Sequence, residues 1–231
     1  MKKISLFLMF LMGFSVISFG QSKEEFNVLL IHVDDLGWAD IGVLGSDFYD
    51  TPNIDRLASD GMLFTQSYAA AAICSPSRAA MMTGKYPTRT GITDWIYAKF
   101  QGKGTTGLPG EFAENPDKPL RTPKNQGFLP LEELTIAERM KAEGYTTFHV
   151  GKWHLGEEGM YPESQGFDVN FGGNDLGQPP SYFDPYQPAT PTPFYELRNV
   201  TPRSEGEFLT DREGDELVKF IQNQNQKFFI H

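Results

Sequence analysis

Cysteine is almost missing from this chain of 231 residues: there is one, Cys74. A single cysteine excludes an internal disulfide framework and leaves two readings, a small apolar filler or a reactive thiol. Positive charge is scarce as well, with 20 Lys and Arg against 30 Asp and Glu and a net charge of −10. That balance argues against nucleic acid or any polyanion bound through bulk electrostatics, so an anionic substrate has to be caught by a few placed cations in a cleft. No internal repeat is found.

A long apolar run occurs once, from Ile4 to Phe19, behind the basic pair Lys2 and Lys3. It ends in the small residues Ser18 and Gly20 ahead of the polar stretch Gln21 to Glu25, which is the build of a secretory leader cut near Gly20. About 16 apolar residues could almost span a bilayer. Gly13, Ser15 and Ser18 interrupt the run, however, and no basic residues follow it. Residues 1–20 are therefore expected to be a signal peptide, and 21–231 an exported, periplasmic or secreted, chain with no stable membrane anchor. The cleavage region holds no cysteine for a lipid anchor. Loss of the leader removes two lysines and no acids, leaving 18 basic against 30 acidic side chains, or −12.

Hydrophobic residues make up 39% and aromatics 13%, enough for a packed core, while 16 prolines and 23 glycines promise long loops. Phe26 to Val33 reads as a strand buried on both faces, stopping at Asp34-Asp35-Leu36-Gly37. Thr51-Pro52 opens a helix with Ile54, Leu57 and Ala58 on one face, closed by Gly61. Met62 to Tyr68 reads as a second strand, and Pro76 to Met82 as a helix with Ser75 as its cap. Residues 97–127 have no usable periodicity. Thr135 and Glu138 form a capping box for a helix to Ala142, and Tyr145 to Val150 is a strand running into Gly151-Lys152-Trp153-His154. Residues 178–204 are again proline-rich and irregular. Thr210 and Glu213 are read as a second capping box, for a helix carrying Leu217, Phe220 and Ile221.

Alternation of strand and helix predicts an α/β fold, a parallel or mixed sheet flanked by helices. Ligands of such sheets collect beyond the carboxyl ends of the strands, where Asp34-Asp35 and Lys152 to His154 both fall. The last residues, Phe228 to His231, look like the opening of a buried strand. The sequence is expected to break off within its domain.

Adjacent carboxylates at one strand end repel unless a cation lies between them. Asp34 and Asp35 either cap the strand or hold a hard divalent ion, calcium or magnesium. Cys74 stands just ahead of a helix start, where free amides favour negative charge, and Arg78 lies one turn on along the same side. Taken singly, Arg78 could be a salt-bridge partner, Lys152 a solvated cation and His154 a turn residue packed beside Trp153. His32 and His149 lie within apolar strands and read as core or supporting residues, and His231 is left without a role.

Cys74-Ser75-Pro76-Ser77-Arg78-Ala79-Ala80-Met81-Met82-Thr83-Gly84 resembles the sulfatase signature: cysteine, proline two on, arginine four on, then Ala-Ala and Thr-Gly. Gly144 to His154, ending Gly-Lys-Trp-His, resembles the family's second signature, and Asp34-Asp35 after the first strand is a third match in the right order. The resemblance spans residues 26–231 and implies the N-terminal portion of a sulfatase catalytic domain with an alkaline-phosphatase-like fold.

It implies further that a maturation enzyme oxidises Cys74 to formylglycine, whose hydrate carries two hydroxyls. One attacks sulfur and displaces the alcohol; the other loses its proton and expels sulfate. By the same resemblance Asp34, Asp35 and the modified Cys74 ligate calcium, with magnesium less suited. Arg78 holds the formylglycine, Lys152 bridges it to sulfate, and His154 is a base in the elimination. The substrate implied is a sulfated glycan or other sulfate ester. The family's further acid-amide pair, second histidine and second lysine have no counterpart here, and calcium prefers about six to eight oxygens. The chain by itself is therefore expected to be weakly active or inactive. A phosphate or phosphonate ester hydrolase of the same superfamily, and a non-catalytic remnant, remain the alternatives.

Overall fold

The computed structural model describes residues 25–98, 107, 110–114, 117–188 and 196–231; the expected leader lies outside them. Four strands form one sheet in the order β1-β6-β4-β5: β1 (Val28–Leu29), β4 (Thr146–Val150), β5 (Val169–Phe171) and β6 (Phe228–Ile230). Every pairing in it is parallel, with Val28 opposite Phe229, Thr147 opposite Phe229 and His149 opposite Asn170. A two-stranded antiparallel ribbon, β2 (Phe112–Ala113) with β3 (Thr122–Pro123), lies in the stretch expected to be irregular. The helices are α1 (Pro52–Asp60), α2 (Cys74–Thr83), the single turn α3 (Pro87–Thr90), α4 (Ile136–Ala142) and α5 (Leu209–Gln222).

Two apolar layers sandwich the sheet. On one face Ala79 and Met82 of α2 pack with Ile96, Trp153, Phe167 and Phe229; Val28 and Leu30 of β1 join from the same side. On the other, Leu217, Phe220 and Ile221 of α5 cover Phe148, Phe171, Phe228 and Ile230. Alternate residues of each strand feed opposite layers, as a period of two requires.

The helix α4 follows from its sequence signal. Thr135 N–H donates to Glu138 Oε2 (2.7 Å) and Glu138 N–H to Thr135 Oγ1 (3.1 Å), closing the capping box. Because Thr135 Oγ1 also donates to the buried Gln165 carbonyl, Thr135→Ala is expected to cost about 1–2 kcal/mol in urea unfolding.

Four expectations are corrected. The first strand is not buried on both faces: Leu29, Ile31 and Val33 are 44%, 65% and 48% exposed, because β1 is the outermost strand and α5 does not reach over it. Met62 to Tyr68 forms no strand; these residues are all exposed, and no strand among the described residues pairs with them. Ser75 is not a cap. The helix starts at Cys74 with Ile73 as its cap residue, and the Ser75 hydroxyl is drawn inward, donating to the His154 carbonyl (3.0 Å) and accepting from Ile96 N–H (3.0 Å). Thr210 and Glu213 do not form a capping box either, since α5 begins earlier, at Leu209, and Glu213 falls in its second turn.

Candidate active site

Three elements converge at the carboxyl end of the sheet. The β1 strand delivers Asp34, α2 delivers Cys74 and Arg78, and the turn after β4 delivers Lys152 and His154. Gly151, at φ +91°, makes that turn in a conformation L side chains resist, so the chain reverses directly behind the last strand residue.

Asp34 is the hub. Arg78 Nη2 donates to its Oδ1 (2.8 Å) and Lys152 Nζ to its Oδ2 (2.5 Å). A further Arg78 nitrogen, Nη1, donates to the Lys152 carbonyl (2.5 Å), so the arginine ties the carboxylate to the turn that carries the lysine. Burial alone would raise the Asp34 pKa, but the hydrogen bonds from Lys152 and Arg78 outweigh it and hold the carboxyl at about 2. Arg78 is 4% exposed, and its Nε has no partner among the described residues.

Cys74 opens α2, half-buried, with the next-turn amides free of any side-chain cap. Arg78 follows one turn later on the same side. His154 lies buried at φ +62°, and its N–H is fixed by the Asn174 carbonyl (2.9 Å). His154 Nε2 donates to the Ile96 carbonyl (2.7 Å), which leaves Nδ1 as the nitrogen with a lone pair; it is buried, with no partner among the described residues. Burial lowers the His154 pKa to about 4. The structure thus joins Asp34, Arg78 and Lys152 by direct bonds and anchors His154 to the residue next to Cys74 through Ser75. Asp35, exposed and in the left-handed region at φ +55°, stands apart from these bonds.

Asp34 and Asp35 offer hard oxygen donors of the kind calcium takes, but too few. Among the described residues no group of three or more His, Cys, Asp or Glu side chains is placed to hold a metal ion. Both oxygens of Asp34 are already engaged by cations. The residues present do not make a complete divalent site.

Beneath the site lies a feature the sequence did not announce. His149 Nε2 donates to the Gly151 carbonyl (3.0 Å), so its Nδ1 accepts, and His231 Nδ1 donates to it (3.2 Å). The His32 ring lies 6.2 Å from that of His231. Burial lowers His149 to about 3 and holds His231 well below its usual range; burial and the Arg78 charge lower His32. These groups are neutral when folded and take protons near pH 6.5 when unfolded, so the unfolded state binds more protons below that point. Stability is expected to fall as pH drops from about 6.5 toward 4, by roughly 2 kcal/mol per fully buried histidine at pH 5. Urea midpoints at pH 7 and pH 5 measure this; equal midpoints would contradict it.

The arrangement is an anion-attracting corner: a thiol at a helix start, a buried guanidinium, an ammonium and one strongly acidic carboxylate. The sulfatase family model matches residues 26–231. The chain belongs to the sulfatase family. Arylsulfatase G of Mus musculus is 39% identical over 171 residues, covering 71% of this chain and 28% of the relative. N-acetylgalactosamine-6-sulfatase of Mus musculus is 35% identical over 221 residues, covering 89% and 38%. Among solved structures, Ps i-CgsB in complex with k-i-k-neocarrahexaose has a TM-score of 0.65 at 30% identity, over 90% of this chain and 44% of that one. This sulfatase-family chain therefore spans less than half the length of these relatives, and its fold is alkaline-phosphatase-like. No helix among the described residues is long and apolar enough to cross a membrane.

Proposed function

We propose that this chain supplies the nucleophile, two cations and the acidic hub of a sulfate-ester hydrolase acting on a sulfated glycan. The observation that carries the reading is the bonded trio of Asp34, Arg78 and Lys152, with Arg78 one turn along α2 from Cys74 at its start.

Cys74, oxidised to formylglycine by a maturation enzyme and hydrated, presents two hydroxyls on one carbon. One oxygen bonds to sulfur as the S–O bond to the sugar breaks, and the sugar oxygen leaves as an alcohol with a proton. The second hydroxyl then gives up its proton; its electrons form the C=O bond as the C–O bond to sulfate breaks. Sulfate leaves as the dianion, the proton passes to the base and on to water, and addition of water re-forms the hydrate. Arg78 orients the hydrate and offsets developing charge, Lys152 faces the sulfate oxygens, and the free Nδ1 of His154 is the base. With a folded pKa of about 4, His154 is unprotonated at neutral pH, as a base must be.

Calcium held by Asp34, Asp35 and the modified Cys74 belongs to the same reading, but needs donors beyond the described residues. The isolated chain is accordingly expected to turn over weakly. The glycan assignment is supported by the substrates in the relatives' names, and export by the leader-like residues 1–20.

The test is mass spectrometry of the Cys74 peptide from the native host, followed by matched sulfate and phosphate monoesters of one leaving group. An aldehyde at position 74 and preference for the sulfate ester are expected. An unmodified thiol would leave a non-catalytic remnant, and preference for phosphate would move the activity to the phosphate and phosphonate hydrolases.

A further inference from the structure

The turn that carries His154 is gripped by one residue of a neighbouring loop. Ile96, 2% exposed, donates its N–H to Ser75 Oγ (3.0 Å), and the same hydroxyl donates to the His154 carbonyl (3.0 Å). The Ile96 carbonyl takes the ring itself, through Nε2 (2.7 Å). A carbonyl oxygen only accepts, so the nitrogen facing it has to carry the proton. In a neutral imidazole the lone pair is then left on Nδ1. Because Nδ1 has no partner among the described residues, the Ile96 carbonyl is what chooses between the two tautomers.

Residues 93–96 belong to no helix or strand, so no regular ladder fixes where that carbonyl stands. They are held by Asn125, from the stretch whose sequence has no periodicity. Its Oδ1 accepts from Thr93 N–H (2.9 Å) and Asp94 N–H (3.1 Å). Its Nδ2 donates to the Asp94 carbonyl (2.9 Å) and the Trp95 carbonyl (3.0 Å). Two N–H groups on one side and two carbonyls on the other define which end of the amide is oxygen. All four bonding positions of the side chain are spent on the three residues before Ile96. Asn125 is 1% exposed and is itself anchored. Its carbonyl accepts from Gly107 N–H (3.1 Å), and the N–H of Gln126 donates to the Gly91 carbonyl (2.9 Å).

The imidazole has little room to follow a displaced carbonyl. A Cβ on Gly177 would lie 2.8 Å from His154 Cε1 and 3.1 Å from Nε2, so bare backbone is packed on the ring. Trp95, from the strip that Asn125 holds, meets the ring edge to face with centroids 6.1 Å apart. Turning the ring over would set a C–H against the Ile96 carbonyl and lose the bond.

We propose that Asn125 is a positioning residue for His154: by holding Thr93, Asp94 and Trp95 it sets the Ile96 carbonyl on Nε2, and so keeps the proton there and the lone pair on Nδ1. Its side-chain bonds go to main chain only, and it acts through the carbonyl. The consequence for catalysis rests on His154 being the base; the consequence for the tautomer does not.

Long-range proton–nitrogen NMR of the His154 ring reads the tautomer in the full chain at pH 7, where burial keeps the ring neutral. The parent is expected to show one form, protonated on Nε2. Asn125→Ala is expected to bring up the form protonated on Nδ1, a shift of at least ~10-fold in their ratio, the worth of one buried hydrogen bond. The weak sulfate release of the chain should fall a further ~100-fold in kcat with KM unchanged. Asn125→Asp keeps the bonds from Thr93 and Asp94, loses both donors, and should shift the ratio in the same direction. Thr135→Ala lowers stability without removing a bond to residues 93–96, and should leave the ratio at the parental value. A parent protonated on Nδ1, or Asn125 variants that keep the parental form, overturn the inference. So does a shift in Thr135→Ala as large as that in Asn125→Ala, which would make the effect a general loosening. Failure of both Asn125 variants to fold overturns it too, because Asn125 would then hold the fold and not the base. A changed tautomer with unchanged sulfate release upholds the positioning and removes His154 as the base, so the two readings fail separately.

Discussion

Cys74→Ser is expected to lower sulfate release by ~10⁴-fold or more and to leave one equivalent of sulfate trapped on the protein. The reason is the count of oxygens at position 74. A hydrate spends one hydroxyl on attack and keeps a second whose proton loss drives sulfate out. Serine has the first and lacks the second, so its ester must wait for water to attack sulfur. Folding should not change, since Cys74 is half-buried at a helix start and serine is at home there. One check is reaction of the peptide spanning position 74 with a hydrazide, positive in the parent and negative in the variant. The other is the mass of the variant's corresponding peptide after exposure to 4-nitrophenyl sulfate. Turnover at the parental rate would remove Cys74 from the chemistry.

Arg78→Ala acts on stability and on the site together. Arg78 is the most enclosed member of the charged trio, and both partners depend on it: Asp34 accepts from Nη2 and the Lys152 carbonyl from Nη1. Truncation leaves a part-buried carbonyl without that donor and a carboxylate with one cation instead of two. Losses of this kind cost about 3–5 kcal/mol, and partial exposure of Asp34 places the expectation at the lower end. The same change should raise the Asp34 pKa from about 2 toward 3.8. Because a lowered carboxylate pKa adds stability above the unfolded value, the parent loses that contribution as pH falls from about 4 to 2, and the variant has less to lose. Urea unfolding at pH 7 and pH 3, with carboxyl NMR of Asp34, reads both effects. Arg78→Lys should rescue only part, because one ammonium cannot span the two acceptors that the guanidinium fork reaches. Equal stability of parent and alanine variant would show that the trio is dispensable.

Much of this was legible in residue order. The capping box at Thr135 and Glu138 forms as written, since both partners lie within one turn and need nothing from elsewhere. The strands before Gly151 and at Phe228 to Ile230 are apolar runs of the length a covered parallel sheet takes, and they pair as such. The signature around Cys74 placed Arg78 on the thiol's side of the helix, because the spacing of four is set by helical pitch.

Other features were not legible, for physical reasons that differ. Ser75 reads as a cap by residue type, yet its hydroxyl serves two groups 21 and 79 residues away. Glu213 reads as the second member of a capping box; where α5 begins depends on how Phe208 and Leu209 pack, and the shift points that carboxyl into a cavity. Phe26 to Val33 has the composition of a central strand. Whether such a run is covered depends on which elements lie next to it, and composition carries no record of neighbours.

Residue order by itself determined the chemistry on offer: one thiol at a helix start, an arginine one turn on, two acids at a strand end, a lysine and a histidine after a glycine. These rest on local geometry, where spacing along the chain is spacing in space. Tertiary structure alone decided that Asp34, Arg78 and Lys152 bond to one another, that His231 donates a hydrogen bond to His149 beneath them, and that one face of β1 is exposed among the described residues. Those are contacts between segments far apart in sequence, set by the order of strands in the sheet, and no local pattern encodes that order.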